Sequence, residues 1–320
     1  MDEFKLDFSG IGVAKAGTTW IARCLAEHPS VCMARSKETN FFLRKHLTSV
    51  LPARRHHYGS SHYDEGLDWY KQQFSHHQPG QLRGEYSNAY IADPESAALL
   101  HAHNPEMKLL CCFRSPIEGA YSGYFQLSRV QPLPDTFDEF LDTYPQLQEY
   151  GRYHHNLQPF LKLFPRDRIH ILLFEDIRKD PVAVYRGICE FLGIDPSFVP
   201  AIVTETINPR TVLRSRVLRN IRVAVADFMV STPARRKLRA SLVRLGAARL
   251  AIRLFHMNEK PGRIPPMSPA ARQRLVELYR RDIEALGELL QRDLSQWTES
   301  PSGAAPLSPS RPSTSEARSL

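Results

Sequence analysis

Short apolar runs separated by longer mixed segments set the hydrophobic pattern of this chain. A continuous apolar run is typical of a parallel strand that is buried on both faces. The runs predict strands at residues 8–13, 31–33, 108–113 and 169–174, and residues 82–86 are interpreted as a further strand. None of the uncharged apolar stretches reaches the ~18 residues that a membrane-spanning helix needs, so the pattern predicts no membrane span.

Helix-start signals lie between and after the predicted strands. An aspartate or serine followed by proline favours the first turn of a helix, because the side chain caps a free N–H group and proline fits the first helical position. Such pairs begin at Asp93, Asp180 and Ser268. The predicted helices span residues 18–27, 67–74, 94–103, 117 onwards, 181–192 and 269–297. Strands that alternate with helices predict an α/β fold with a largely parallel central sheet flanked by helices.

The composition fits a globular protein with one disordered end. The 320 residues are 42% apolar and 24% charged, which is enough for a sizeable core in one or two domains. We expect one domain over residues 1–297 and a disordered tail over 298–320, which is rich in serine, proline and alanine. The acidic start of the chain lacks the basic and apolar parts of a signal peptide, which favours a cytoplasmic location.

The cysteines and histidines give no sign of a disulfide framework or a metal site. The five cysteines are odd in number and form no Cys-x-x-Cys pair, so buried free thiols are the simplest interpretation. The histidines occur largely as doublets, and neighbouring residues of a helix or strand point to different sides. A doublet is therefore a poor metal clamp.

The loop after the first predicted strand is the strongest chemical signal. It reads Gly-Val-Ala-Lys-Ala-Gly-Thr-Thr-Trp over residues 12–20 and leads into a helix, where backbone N–H groups and the positive end of the helix dipole converge on an anion. Lys15 adds a full charge, and Gly17 lets the backbone approach closely. Thr18 and Thr19 add hydroxyl donors. The spacing resembles a Walker A loop, but the lysine lies before the second glycine instead of after it.

A second anion signal follows the strand at residues 108–113. Arg114 stands at the end of this strand, and an arginine there repels a metal ion and attracts a phosphate. Ser122 lies eight residues later, about two helical turns away. A loop arginine that folds back can share one phosphate with such a serine. The structural alternative is a solvated arginine beside a surface serine.

Together these segments resemble the family of sulfotransferases that use 3′-phosphoadenosine 5′-phosphosulfate (PAPS). Residues 12–20 resemble the family's 5′-phosphosulfate loop, and residues 113–124 resemble its 3′-phosphate motif. Three more segments resemble elements of the heparan-sulfate-type branch and its bacterial relatives: Lys-Glu-Thr-Asn-Phe-Phe at 37–42, Gly-Glu-Tyr-Ser at 84–87 and Lys-Pro-Gly-Arg-Ile-Pro-Pro at 260–266. The resemblance is collinear from about residue 8 to 297 and implies a P-loop-containing α/β fold.

The resemblance implies sulfuryl transfer from PAPS to a hydroxyl or amine, with 3′,5′-bisphosphoadenosine as the second product. Lys15 would neutralise charge on the leaving phosphate, as a metal ion does in kinases, so no metal is required. Glu38 matches the glutamate that is taken as the general base in the heparan-type branch. The residues implied to bind the nucleotide are Lys15, Ala16, Gly17, Thr18, Thr19, Trp20, Arg114, Ser122, Lys260, Gly262 and Arg263.

The base and the acceptor stay open at the level of sequence. A solvated Glu38 that pairs with Lys37 is the structural alternative to a base, and other sulfotransferase branches use a histidine. Several heparan enzymes carry a lysine at the position of Tyr86, so the tyrosine argues against a polysaccharide-specific acceptor. The expected acceptor is a carbohydrate, a lipid or a small metabolite.

Residues 210–253 hold most of the positive charge. They contain eleven arginines and Lys237 against Asp227, a net charge of +11, while the whole chain carries only +8. Interleaved apolar residues predict a basic helical insertion over residues 210–256. It is a solvated face, a wall that attracts an anionic acceptor, or a surface that makes peripheral contact with an anionic membrane. Without aromatic interleaving or a known motif, we expect no nucleic-acid binding.

Two other function classes remain open at this stage. A nucleotide kinase or NTPase with a degenerate P-loop is disfavoured by the displaced lysine and by the missing magnesium-binding aspartate. A non-catalytic adaptor that keeps the fold is disfavoured by the presence of all four candidate functional side chains, Lys15, Glu38, Arg114 and Ser122.

Overall fold

Five parallel strands form the central sheet, in the order β2-β3-β1-β4-β5. The computed structural model describes residues 4–44, 61–130, 132–205, 211–230, 259–261 and 265–299. The strands are β1 (Phe8–Gly12), β2 (Val31–Met33), β3 (Leu82–Tyr86), β4 (Lys108–Phe113) and β5 (Ile169–Leu173). The predicted largely parallel sheet is confirmed, and three of the strands have the predicted bounds.

The interior of the sheet explains the apolar runs. Every residue of β1 is buried, as are five of the six residues of β4. Gly10 leaves room for the ring of Tyr86 on the neighbouring strand, since a Cβ atom at Gly10 would lie 2.2 Å from that ring. Central parallel strands are covered on both faces, which is why β1 and β4 lack the alternation of polar and apolar residues.

Helices flank the sheet. In chain order they are α1 (Thr18–Glu27), α2 (Gly66–Gln72), α3 (Pro94–His103), α4 (Pro116–Val130), α5 (Phe137–Thr143), α6 (Tyr153–Leu163), α7 (Phe174–Lys179), α8 (Pro181–Leu192), α9 (Arg216–Val230) and α10 (Pro269–Leu290). The predicted caps are present: Asp93, Asp180 and Ser268 each accept a hydrogen bond from a backbone N–H group of the first turn.

The last helix is shorter than predicted. It ends at Leu290 and not at Trp297, because Gln291 adopts a left-handed conformation with φ 51°. Trp297 lies in a short 3₁₀ helix that follows. Residues 300–320 lie outside the described part of the chain, so the disordered tail stays a prediction.

The basic insertion is only partly described. A small antiparallel pair, β6 (Thr211–Leu213) and β7 (Glu259–Pro261), frames it, and α9 follows β6. The Nη1 atom of Arg219 donates to the carbonyl of Ser128, 2.6 Å away, and this bond ties α9 to α4. Residues 231–258 lie outside the described part, so the three interpretations of the insertion are not decided. In the described ranges, no helix is long and apolar enough to span a bilayer.

Candidate active site

The loops that follow four of the strands meet at one edge of the sheet. Because β1 to β4 are parallel, their carboxyl ends lie on the same side, which is where α/β proteins bind ligands. The loop after β1 carries Lys15, the loop after β2 carries Glu38 and the loop after β4 carries Arg114. The fold therefore brings the sequence-predicted candidates to a common edge.

The start of α1 is built to receive an anion. Gly17 occupies the N-cap position in a left-handed conformation with φ 84°, and neither Thr18 nor Thr19 caps the helix, because both lie inside it. A Cβ atom at Gly17 would lie 3.2 Å from the ring of Phe174, so glycine suits both the space and the backbone. The first N–H groups of a helix have no partner within it. Those at Thr18, Thr19 and Trp20 are thus available to a ligand that lies in front of the helix.

A direct hydrogen bond joins the two predicted anion-binding loops. The Nη1 atom of Arg114 donates to the backbone carbonyl of Lys15 at 2.9 Å, and the guanidinium lies 5.2 Å from the centroid of the Phe174 ring. Lys15 has φ 69°, which is uncommon for a residue with a side chain and costs about 1–2 kcal/mol. The bond from Arg114 helps to hold the loop in that conformation.

Ser122 lies on the same side of α4 as the Arg114 side chain. A Cβ atom placed on Gly119 would lie 3.8 Å from Cγ of Arg114, so the arginine runs beside that position of the helix. Gly119 and Ser122 are three residues apart and therefore neighbours on the helix surface. This arrangement allows the arginine and the serine to face one phosphate.

The other residues expected to bind the nucleotide have different environments. Ala16 is buried, and Trp20 is buried with its indole N–H donating to the carbonyl of Val203 at 2.9 Å. Trp20 can therefore meet a nucleotide through its backbone N–H group, not through its ring nitrogen. Lys260 lies in β7 opposite Val212. Gly262 and Arg263 lie outside the described residues.

Glu38 is held by several groups and is not a freely solvated side chain. The Nζ atom of Lys37 lies 2.6 Å from its Oε1 atom, and 28% of each side chain is exposed. The backbone N–H of Asn88 donates to Oε2 at 2.9 Å, and the Asn88 side-chain amide donates to Oε1. The pair with Lys37, which the structural alternative predicted, is thus present together with a clamp from Asn88.

Sequence reasoning missed Asn88. The residue follows β3 directly after the Gly-Glu-Tyr-Ser segment, fifty positions from Glu38. Asn88 follows β3 and Glu38 follows β2, so the predicted parallel strands already placed both residues at the same edge of the sheet. The function of Asn88 is to present two N–H donors to one carboxylate.

Tyr86 is the last residue of β3. Its side chain is buried, its hydroxyl donates to the carbonyl of Gly12 at 2.8 Å, and burial raises its pKa well above the usual value. The ammonium group of Lys37 lies 5.9 Å from the centroid of the Tyr86 ring. Tyr86 thus supports the end of β1, and the local positive charge comes from the loop after β2.

A second carboxyl group, that of Glu85 in β3, contacts the loop that follows β2. It is fully buried and accepts hydrogen bonds from the hydroxyls of Thr39, Ser87 and Tyr90. Burial raises the pKa of Glu85, and the three hydroxyl donors act in the opposite direction. The folded state therefore binds the Glu85 proton more tightly than the unfolded chain does.

This raised pKa predicts a pH-dependent stability difference between the wild type and Glu85→Gln. The stability that protonated Glu85 contributes is fully present below the unfolded pKa of about 4.3 and is lost as the pH rises through the raised folded value. Glutamine does not titrate. The free energy of unfolding of the wild type minus that of the variant should therefore fall as the pH rises, as measured by urea denaturation at a series of pH values. A difference that grows with pH would contradict the raised pKa.

The described residues contain no group of three or more histidine, cysteine, aspartate or glutamate side chains placed to hold a metal ion. Independence from metal stays a prediction about the reaction.

Sequence comparison relates the chain to one family. The model of the family described as "Sulfotransferase domain" matches residues 7–222. The mouse heparan sulfate glucosamine 3-O-sulfotransferase 3B1 is 28% identical over 193 residues, which cover 58% of this chain and 45% of that protein. The human heparan sulfate glucosamine 3-O-sulfotransferase 6 is 29% identical over 192 residues, 58% of this chain and 51% of that protein. The match spans about half the length of these curated relatives.

Structural comparison supports the same fold. A sulfotransferase from Alicyclobacillus acidocaldarius is similar with a TM-score of 0.62 and 22% identity, over 93% of this chain and 100% of that one. The mouse sulfotransferase SULT7A1 complexed with PAP has a TM-score of 0.50 and 14% identity, over 91% and 89% of the two chains. At these identities the likeness concerns the fold, and it confirms the predicted P-loop-containing α/β architecture.

Proposed function

Since the chain belongs to the PAPS-dependent sulfotransferase family, we propose that it transfers a sulfuryl group from PAPS to a hydroxyl or amine, with Glu38 as the base and Lys15 at the leaving phosphate. The observation that carries the proposal is the hydrogen bond from Arg114 to the Lys15 carbonyl. It joins the two candidate anion-binding loops, which lie at the same sheet edge as the loop that carries Glu38. The family assignment favours this reaction over the nucleotide-kinase and adaptor alternatives.

The residues of the first loop fit the 5′ end of the nucleotide. The uncapped start of α1 offers the N–H groups of Thr18, Thr19 and Trp20 to an anion. Lys15 adds the charge that compensates the phosphate as it leaves. Arg114 and Ser122 fit a 3′-phosphate, because a guanidinium and a hydroxyl beside it can share its oxygens. PAPS supplies the activated sulfuryl group.

Glu38 is suited to take the proton of the acceptor. As the acceptor oxygen or nitrogen forms its bond to sulfur, the bond from sulfur to the 5′-phosphate breaks and the acceptor proton passes to the carboxylate. Asn88 and Lys37 contact the Glu38 carboxylate and fix its orientation before the reaction. Positioning and electrostatic stabilisation, and not covalent chemistry by the protein, account for the rate.

The relatives and the charge of the chain suggest which classes of acceptor to assay first. The curated relatives are named for O-sulfation of a glucosamine in heparan sulfate, which makes a carbohydrate hydroxyl the first class to assay. Tyr86, at the position discussed in the sequence analysis, argues against a polysaccharide-specific acceptor, so lipids and small metabolites are assayed as well. Of the three interpretations of the basic segment, two would suit an anionic acceptor or an anionic lipid surface, and the third is a solvated face. The described part of the basic segment includes α9, which exposes the apolar side chains of Val217, Leu218 and Ile221.

Nucleotide binding tests the proposal. 3′,5′-Bisphosphoadenosine should raise the melting temperature, since a ligand at 100 times its Kd stabilises the folded state by about 2.7 kcal/mol. AMP lacks the 3′-phosphate and should stabilise much less.

The control is a pair of arginine variants. Arg114→Gln should remove the preference for the bisphosphate, whereas Arg23→Gln, at an exposed position of α1, should keep it. Equal stabilisation of the wild type by both nucleotides would overturn the assignment of Arg114 and Ser122.

A further inference from the structure

The buried carboxylate of Glu85 lies under the two loops that hold Glu38. It is fully buried, so neither PAPS nor an acceptor can touch it. Its Oε1 atom accepts from Tyr90 at 2.8 Å, and its Oε2 atom accepts from Ser87 at 3.1 Å and from Thr39. A buried carboxyl group costs stability unless it is hydrogen-bonded, and three hydroxyl donors meet that need.

The donors belong to the segments that carry the proposed base and its clamp. Thr39 follows Glu38 directly, and Ser87 directly precedes Asn88, which donates two hydrogen bonds to Glu38. The two segments start from different strands, β2 and β3. One buried carboxylate therefore connects the loop of the base to the loop of the group that orients it.

Further hydrogen bonds extend this connection along the loop after β2. The hydroxyl of Ser87 accepts from the backbone N–H of Asn40 at 3.0 Å, and the hydroxyl of Tyr90 accepts from the N–H of Phe42 at 3.1 Å. Each hydroxyl donates to Glu85 and accepts from the loop, so Glu85 fixes the direction of both bonds. The hydroxyls of Ser87 and Tyr90 are each satisfied both as donor and as acceptor, which favours one arrangement of the two segments.

The loop needs such support because its backbone is in an uncommon conformation. Glu38 has φ 62° and Asn40 has φ 48°, both in the left-handed region. Residues with side chains persist there only where the surroundings hold them. The network anchors Thr39, which follows Glu38, and Ser87, which precedes Asn88.

We propose that Glu85 is a positioning residue for the reaction, which acts through Thr39 and Ser87 to hold the Glu38 carboxylate and its Asn88 clamp in one arrangement. The inference rests on the proposed function of Glu38 as the base. It assigns to the buried glutamate of the Gly-Glu-Tyr-Ser segment an effect on turnover and not on nucleotide binding.

The test is a matched pair of substitutions at Thr39. Thr39→Val removes the hydroxyl and keeps the shape, and it should lower kcat roughly 10- to 100-fold, the scale of a loss of alignment at a reacting group. Thr39→Ser keeps the hydroxyl and should stay within about threefold of the wild type. Glu85→Gln should resemble Thr39→Val. In all three variants, the thermal shift produced by 3′,5′-bisphosphoadenosine should remain that of the wild type.

Two controls separate positioning from packing. Tyr279→Phe removes a buried hydroxyl that donates to Gln148 at 2.8 Å in the packing of α10, and it should leave kcat unchanged. In the background of Glu38→Gln, Thr39→Val should cause no further loss of kcat, because there is no longer a base to position.

The outcomes distinguish this proposal from the one on which it rests. If Glu38→Gln itself keeps near-normal turnover, the base assignment fails and the inference about Glu85 fails with it. If Glu38→Gln loses turnover but Thr39→Val keeps it, only the positioning role is overturned. A loss from Thr39→Val that is equally large in the Glu38→Gln background also overturns it, since that effect would be structural. Should Glu85→Gln fail to fold, the Thr39 pair still decides the question.

Discussion

Glu38→Gln is expected to lower kcat by roughly 10²–10⁴-fold, the usual contribution of a positioned general base. Glutamine keeps the shape of the side chain but cannot accept the proton of the acceptor. Affinity for PAPS should stay within a few-fold, because the Glu38 carboxylate contacts Lys37 and Asn88 and not the loop that would bind the nucleotide. Steady-state kinetics with saturating PAPS measures the first quantity, and a thermal shift with 3′,5′-bisphosphoadenosine measures the second.

A second glutamate provides the matched control. Glu95 forms an ion pair with Arg44 at 3.4 Å on the exposed surface of α3, and Glu95→Gln makes the same change of charge there. It should leave turnover unchanged. If Glu38→Gln behaves like Glu95→Gln, Glu38 is only the partner of Lys37 and the base is elsewhere, and a histidine scan becomes the next step.

Lys15→Ala is expected to impair both binding and turnover. Lys15 is proposed to touch the phosphosulfate before the reaction and to meet additional negative charge as the phosphate leaves. We expect kcat to fall roughly 10²–10³-fold, as when one preorganised donor is removed from a developing anion, and affinity for PAPS to fall as well. Alanine and lysine share the same backbone restriction at φ 69°, so the substitution adds no new strain.

The pattern of loss identifies the function of Lys15. Lys15→Arg keeps the charge and should retain part of the binding, while Lys162→Ala, at an exposed position of α6, serves as the control for loss of a lysine. Single-turnover kinetics separates binding from chemistry. Unchanged turnover with weakened PAPS binding would mean that Lys15 only holds the nucleotide.

The fold was predictable where local signals agree with burial. The strand at 108–113 is largely apolar because both of its faces are covered, and Asp180-Pro181 starts a helix where expected. Two helices between α4 and β5 escaped prediction. A capping box of Thr136 and Glu139 starts α5 and could have been read from the sequence, whereas Pro159 inside α6 disguises that helix.

The candidate residues of the site could be predicted from the sequence, but the hydrogen bonds between them could not. Lys15 and Arg114 could be named because each follows a predicted strand, and Glu38 could be named because residues 37–42 resemble a segment of the heparan-sulfate-type branch. The bond from Arg114 to the Lys15 carbonyl and the clamp of Asn88 on Glu38 could not, since they join residues 99 and 50 positions apart. Such contacts depend on the order of strands in the sheet, which propensity and spacing do not determine.

The bond between Arg114 and the Lys15 carbonyl has a consequence for how nucleotides are told apart. It sets a fixed interval between the cation proposed for a 3′-phosphate and the loop proposed for the 5′ end. On this assignment the two loops together would recognise the separation of two anionic groups along the sugar, without a contact to the base. A nucleotide whose phosphates lie at another spacing would bind to only one of the two loops, however well its base fits.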